Sequence, residues 1–98
     1  MTRENIMNIE IKTLKFDAGE KLTAFVEKKV SRLAKFSEGI SEDAEVSLEN
    51  LKEGKKAKIQ IHNLIIERTA DTFENAITAC VDAMKEKLTR AKEKMSEA

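Results

Sequence analysis

Apolar residues in this chain change their spacing in a fixed order. The period is two, then 3.6, then two again through three runs, then 3.6 to near the end, and few folds accommodate that succession. Met7, Ile9 and Ile11 alternate with Asn8, Glu10 and Lys12, the pattern of a strand with one buried face, and predict strand one over residues 6–13. Asp17, with Glu20 three positions later, makes a capping-box-like start. Leu22, Phe25, Val26, Val30, Leu33 and Phe36 then recur at helical spacing, predicting helix one from about Ala18 to Phe36.

After a loop from Ser37 to Ser41, Ala44, Val46 and Leu48 alternate with Glu45, Ser47 and Glu49. Past a Glu53-Gly54 turn, Ala57, Ile59 and Ile61 alternate with Lys58, Gln60 and His62. His62-Asn63 turns the chain tightly into a fourth strand, residues 64–70, with Leu64, Ile66, Arg68 and Ala70 on one face. Asp71 with Glu74 opens helix two, whose Phe73, Ile77, Cys80, Met84, Leu88, Ala91 and Met95 form one apolar stripe. The order β-α-β-β-β-α defines an α+β fold: a four-stranded sheet, its last three strands an antiparallel meander, with two amphipathic helices covering one face. Asn8, Glu10, Glu45, Ser47, Lys58 and Gln60 fall on the other face, which should be wet.

The chain has 98 residues, no proline and three isolated glycines, which suits one domain over residues 7–98, with residues 1–6 an N-terminal extension or expression remnant. Charged residues make up 37% of it, so a periodic core sits under a heavily charged exterior. There is no apolar run of membrane-spanning length and no signal-peptide pattern at the start, so a cytoplasmic protein is expected. Cys80 is the sole cysteine, which excludes an internal disulfide and a Cys-rich zinc cage.

Formal net charge is zero, 18 basic against 18 acidic residues, but the charges are polarised. Residues 37–50 hold Glu38, Glu42, Asp43, Glu45 and Glu49 with no base, whereas residues 85–94 are rich in Lys and Arg. At about 100° per residue, Lys21, Lys28, Arg32 and Lys35 line one stripe beside the apolar face of helix one. On helix two, Lys87, Arg90 and Lys94 flank one side of the apolar stripe, and Lys85 and Lys92 the other. Helix dipoles and snorkelling stems also place bases near helix ends. A dipole does not, however, require the one-sidedness seen in helix one. Such a patch suits phosphate oxygens along structured RNA. With no Trp or Tyr, and four Phe at or near apolar faces, recognition by RNA shape is expected rather than a stacking platform for bases.

Catalytic chemistry finds no support. His62 is the only histidine and lies at a strand end, a solvated position without a second histidine or a nucleophile beside it. Cys80, within the apolar stripe of helix two, reads as a small hydrophobe. No glycine-rich loop cradles a phosphate, and no metal or cofactor site and no small-molecule substrate is expected.

The segment Phe25-Val26-Glu27-Lys28-Lys29-Val30-Ser31-Arg32-Leu33-Ala34-Lys35-Phe36 and the ending Leu88-Thr89-Arg90-Ala91-Lys92-Glu93-Lys94, in this element order, resemble the ribosome hibernation-promoting factors. That family is also called the ribosome-associated inhibitors or sigma-54 modulation proteins, and the likeness runs over nearly the whole chain from Met7. The resemblance implies a fold like that of double-stranded-RNA-binding domains with an added first strand. It further implies binding to the small ribosomal subunit and its rRNA at the decoding centre, where messenger and transfer RNA lie, with translation blocked sterically.

RNA contact is thereby implied for Lys29, Arg32, Arg90, Lys92 and Lys94, with Lys28 and Lys35 as neighbours. Helical projection places Lys29 close to the apolar face, so it has to reach over the core edge. Where many relatives carry further bases in helix two, Ala83 and Glu86 stand here, with Lys85 and Lys87 as partial replacements. The chain ends near Met95 without the long C-terminal extension of some members, so a short form is expected. Two other functions stay open on the same residues: a general structured-RNA-binding domain with a non-ribosomal target, and a protein interaction module whose acidic residues 37–50 dock a basic partner.

Overall fold

A computed structural model describes residues 7–14 and 16–96, with side chains through Glu93. Residues 1–6, including the first position expected in strand one, lie outside the described residues. The elements are β1 (Asn8–Leu14), α1 (Glu20–Ser31), β2 (Asp43–Leu51), β3 (Gly54–Ile61), β4 (Leu64–Ala70) and α2 (Phe73–Ser96), in the expected order β-α-β-β-β-α.

The strands form one sheet in the order β1-β2-β3-β4. β1 runs parallel to β2, with Ile9 opposite Ala44 and Ile11 opposite Val46, because the α1 crossover returns the chain to the same end of the sheet. The two hairpins β2–β3 and β3–β4 are antiparallel. Alternation does the rest: Ala44, Val46, Leu48, Ala57, Ile59 and Ile61 point to one face and are fully or almost fully buried. α2 packs over β3 and β4, while α1 lies against β1 and α2. The opposite face is wet, and a lysine ties three of its strands together: Lys56 Nζ lies 3.3 Å from Glu49 Oε1 and 2.9 Å from Glu67 Oε2. Those contacts raise the Lys56 pKa and lower that of Glu67.

α2 delivers its stripe as expected, with Ile77, Cys80, Met84 and Leu88 fully buried. Beyond Leu88 the helix leaves the core, and Thr89, Arg90 and Glu93 are exposed. Its start differs by one residue from the sequence expectation. Thr72, not Asp71, caps it, its Oγ1 accepting the Asn75 N–H at 3.1 Å. At α1 the Asp17–Glu20 capping box does not form; Gly19 occupies the N-cap with no side-chain cap bond.

Helix one stops at Ser31 rather than at the expected Phe36. Ser31 Oγ donates to the Lys28 carbonyl at 2.9 Å, and such a back-bond competes with regular helix. The following amides then close i→i−3 bonds, Arg32 to Lys29 at 3.2 Å, Leu33 to Val30 at 2.9 Å and Phe36 to Leu33 at 2.9 Å. Val30, Leu33 and Phe36 are spaced by three, so a turn of three residues satisfies that apolar spacing as well as a helix does.

Candidate RNA-binding surface

The turn after α1 lies against α2 and leaves a groove of about 520 Å³ between them. Buried Leu33, Ala34 and Val81 form its floor. Its rim carries Lys29, Arg32 and Lys35 from the first segment and Lys85 from α2. The sequence expectation for Lys29 is met: it is half-buried, and its ammonium extends over the Phe25 ring, 5.7 Å from the centroid. Lys35 and Lys85 approach from different elements and converge on one side chain, each with Nζ 5.6 Å from the Phe36 ring centroid. Among the described residues, none of these four cations has a carboxylate within ion-pair distance. Asp82 is the one acid on the lining.

The remaining basic residues disperse. Lys28 lines a separate depression facing β1, with Met7, Ile9 and Ser31. The stripe Lys21-Lys28-Arg32-Lys35 is therefore split, because the chain leaves α-helical geometry after Ser31 and Arg32 and Lys35 are carried toward α2. Arg90 borders a shallower depression that continues the groove past Phe36, Asp82 and Lys85, and it pairs with Glu86 at 3.3 Å. Lys92 donates to the Lys35 backbone carbonyl at 3.2 Å. Lys87 is exposed, two positions from Lys85 and so on the far side of α2. The Lys94 side chain lies outside the described residues.

Sequence reasoning missed Phe36 and Asp82. Phe36 ends the apolar stripe of the helix-one segment, yet it is only half-buried and borders both depressions. The available signal was its place between Lys35 and Ser37 at the point where the helix stops. Asp82, three residues before Lys85, shares its helix face.

The lone reactive candidates carry no site. Cys80 is fully buried and donates its S–H to the Ala57 carbonyl at 3.2 Å, and burial pushes its thiol pKa up to about 11. His62 is an exposed turn residue. Among the described residues no cluster of three His, Cys, Asp or Glu is placed to hold a metal, and no helix is long and apolar enough to cross a membrane.

A four-stranded mixed sheet backed by two helices, with a basic groove where the helices meet, defines a small α+β domain. The profile of the sigma 54 modulation protein / S30EA ribosomal protein family matches residues 9–96, and the chain belongs to that family of ribosome-associated factors. The N-terminal domain of Thermus thermophilus Protein Y superposes with a TM-score of 0.74 at 26% identity, over 86% of this chain and 98% of that one. A ribosomal subunit interface protein from Coxiella burnetii superposes with a TM-score of 0.72 over 89% of this chain and 99% of that one; at 16% identity the likeness is one of fold. Among curated proteins no match was found.

Proposed function

We propose that this protein is a ribosome hibernation factor that binds the small ribosomal subunit on its rRNA, in the cleft that holds messenger and transfer RNA, and inhibits translation by occupying that space. The observation that carries this is the groove itself. Four cations from two elements face one opening without an ion-pair partner among the described residues, in a chain of a ribosome-associated family. Ammonium groups and a guanidinium fork so placed pair with phosphate oxygens of folded RNA, and release of condensed counterions supplies most of the affinity. The acidic wet face of β1 and β2, with Glu10, Asp43 and Glu45, is repelled by RNA, so the domain seats helix side inward. The activity is binding and exclusion, without a chemical step, and takes place in the cytoplasm where ribosomes initiate.

The test is sedimentation of the protein with separated ribosomal subunits, followed by translation of a reporter message in vitro. Co-sedimentation with the small subunit and loss of translation are expected. Excess unrelated duplex RNA should leave the complex intact; if it strips the protein from the subunit, the domain is a general structured-RNA binder instead.

A further inference from the structure

Phosphate pairing leaves two features of the groove unused, the half-exposed Phe36 ring and the Asp82 carboxylate. We propose that the groove receives one unstacked nucleobase of RNA, laid on Phe36, and that Asp82 makes guanine the preferred base. Bases splayed from RNA stack on aromatic rings and are then read along their hydrogen-bonding edges. The groove volume, about 520 Å³, lies within the range of small-ligand sites, and its floor of Leu33, Ala34 and Val81 is apolar. Lys35 and Lys85 now rest over Phe36. Both are exposed on flexible stems, and a solvent-reachable cation–π contact is weaker than base–aromatic stacking. An incoming nucleotide therefore draws the two ammoniums to its phosphates and uncovers the ring.

A carboxylate offers hydrogen-bond acceptors and no donor. Guanine offers two N–H donors side by side on one edge, matching the two oxygens of a carboxylate. Adenine and cytosine place a ring-nitrogen acceptor beside their amino group, and uracil offers one N–H between two carbonyls, so each of these sets at least one lone pair against Asp82. The site also amends the sequence expectation of shape recognition without stacking: the ring is present, contributed by a residue that the helical pattern assigned to the core.

The chain has no Trp or Tyr, so Phe36→Trp installs a single fluorescent reporter at the groove. It is titrated with the pentaribonucleotides AAGAA, AAAAA, AACAA and AAUAA. Quenching by AAGAA at a concentration about fivefold or more below that needed for AAUAA is expected, and adding Asp82→Asn should abolish the difference. Equal quenching by all four overturns the guanine assignment, and no quenching overturns base docking. If Phe36→Trp melts well below the wild type, ring-proton shifts of Phe36 in the wild-type protein replace fluorescence, and unmoved signals overturn the proposal. The inference rests on RNA binding as proposed above, so small-subunit sedimentation runs in parallel. Subunit binding without quenching overturns the groove reading alone, and quenching without subunit binding overturns the ribosomal reading alone.

Discussion

The Lys92 ammonium donates a hydrogen bond to the backbone carbonyl of Lys35 at 3.2 Å, joining the emerging end of α2 to the turn that follows α1. One wall of the basic groove is thus pinned to the other by a residue that sequence resemblance assigned to RNA contact. Lys92→Met keeps most of the stem and removes the donor. Because the Lys35 carbonyl can turn to water, the loss in stability should be modest, about 0.5–1 kcal/mol. Faster hydrogen exchange of the Phe36 and Ser37 amides, both bonded to Leu33 in that turn, is the expected sign. If Lys92 is chiefly an RNA contact, exchange stays unchanged and the log–log salt slope of subunit binding falls by about one.

Cys80 gives a pH dependence with a definite sign. Burial raises its pKa from an ordinary 9.0 to about 11, so the folded state holds the thiol proton more tightly than the unfolded chain does. Stability from this residue is fully present below pH 9 and is lost as pH climbs from 9 toward 11. Urea unfolding at pH 8 and pH 10 should show wild type losing about 1 kcal/mol more than Cys80→Ala over that interval. Equal losses would mean that the thiol titrates normally. Alkylation of the native protein by iodoacetamide at pH 8 should also be far slower than that of the unfolded chain.

Strands and α2 were legible because alternation and an uninterrupted apolar stripe are local signals. Ala57, Ile59 and Ile61 need no partner to declare a buried face. The end of α1 was not, since Val30, Leu33 and Phe36 at intervals of three fit both a helix and the tighter turn, and the Ser31 back-bond that decides between them has no periodic signature. Both caps were misplaced because Asp17 and Asp71 carry the right chemistry, but the chain turns helical one or two residues after the positions they would need. The bases of the groove were legible one by one, those of helix one as a stripe and Lys85 as a flank of the apolar stripe of helix two, but not that they share one opening. That Lys35 and Lys85 meet over Phe36 is a tertiary fact, set by how the turn packs on α2.

Two hairpin turns respond oppositely to glycine chemistry. Gly54 has φ of 158°, and a Cβ there would sit 2.9 Å from Thr69 Cγ2 and 3.1 Å from the Ala70 carbonyl oxygen. Gly54→Ala should therefore cost about 2 kcal/mol, by strain and by a clash across β3–β4. His62 has φ of 59° in the two-residue link from Ile61 to Leu64, and His62→Gly should be neutral or stabilising by up to about 1 kcal/mol. Urea midpoints of the two variants moving in the same direction would contradict this account of the turns.

Glu86 stands where the resemblance leads one to expect a base, and it holds Arg90 at 3.3 Å. Both side chains are exposed, so the pair adds little to folding, at most about 0.5 kcal/mol. Its larger effect is on RNA. A carboxylate on the rim of the depression that continues the groove repels phosphate and holds a guanidinium that has to be released before it can pair. Glu86→Gln should leave the melting temperature almost unchanged and tighten small-subunit binding about two- to fivefold at low salt, an effect that shrinks as added salt screens the repulsion. Arg90→Ala should weaken binding and lower the salt slope by about one. Sedimentation at two salt concentrations separates the outcomes. Tighter binding in Glu86→Gln that fades with salt places RNA phosphate against this stretch of α2, whereas unaltered affinity in both variants moves the interface off α2 beyond Lys85 and confines it to the turn after α1.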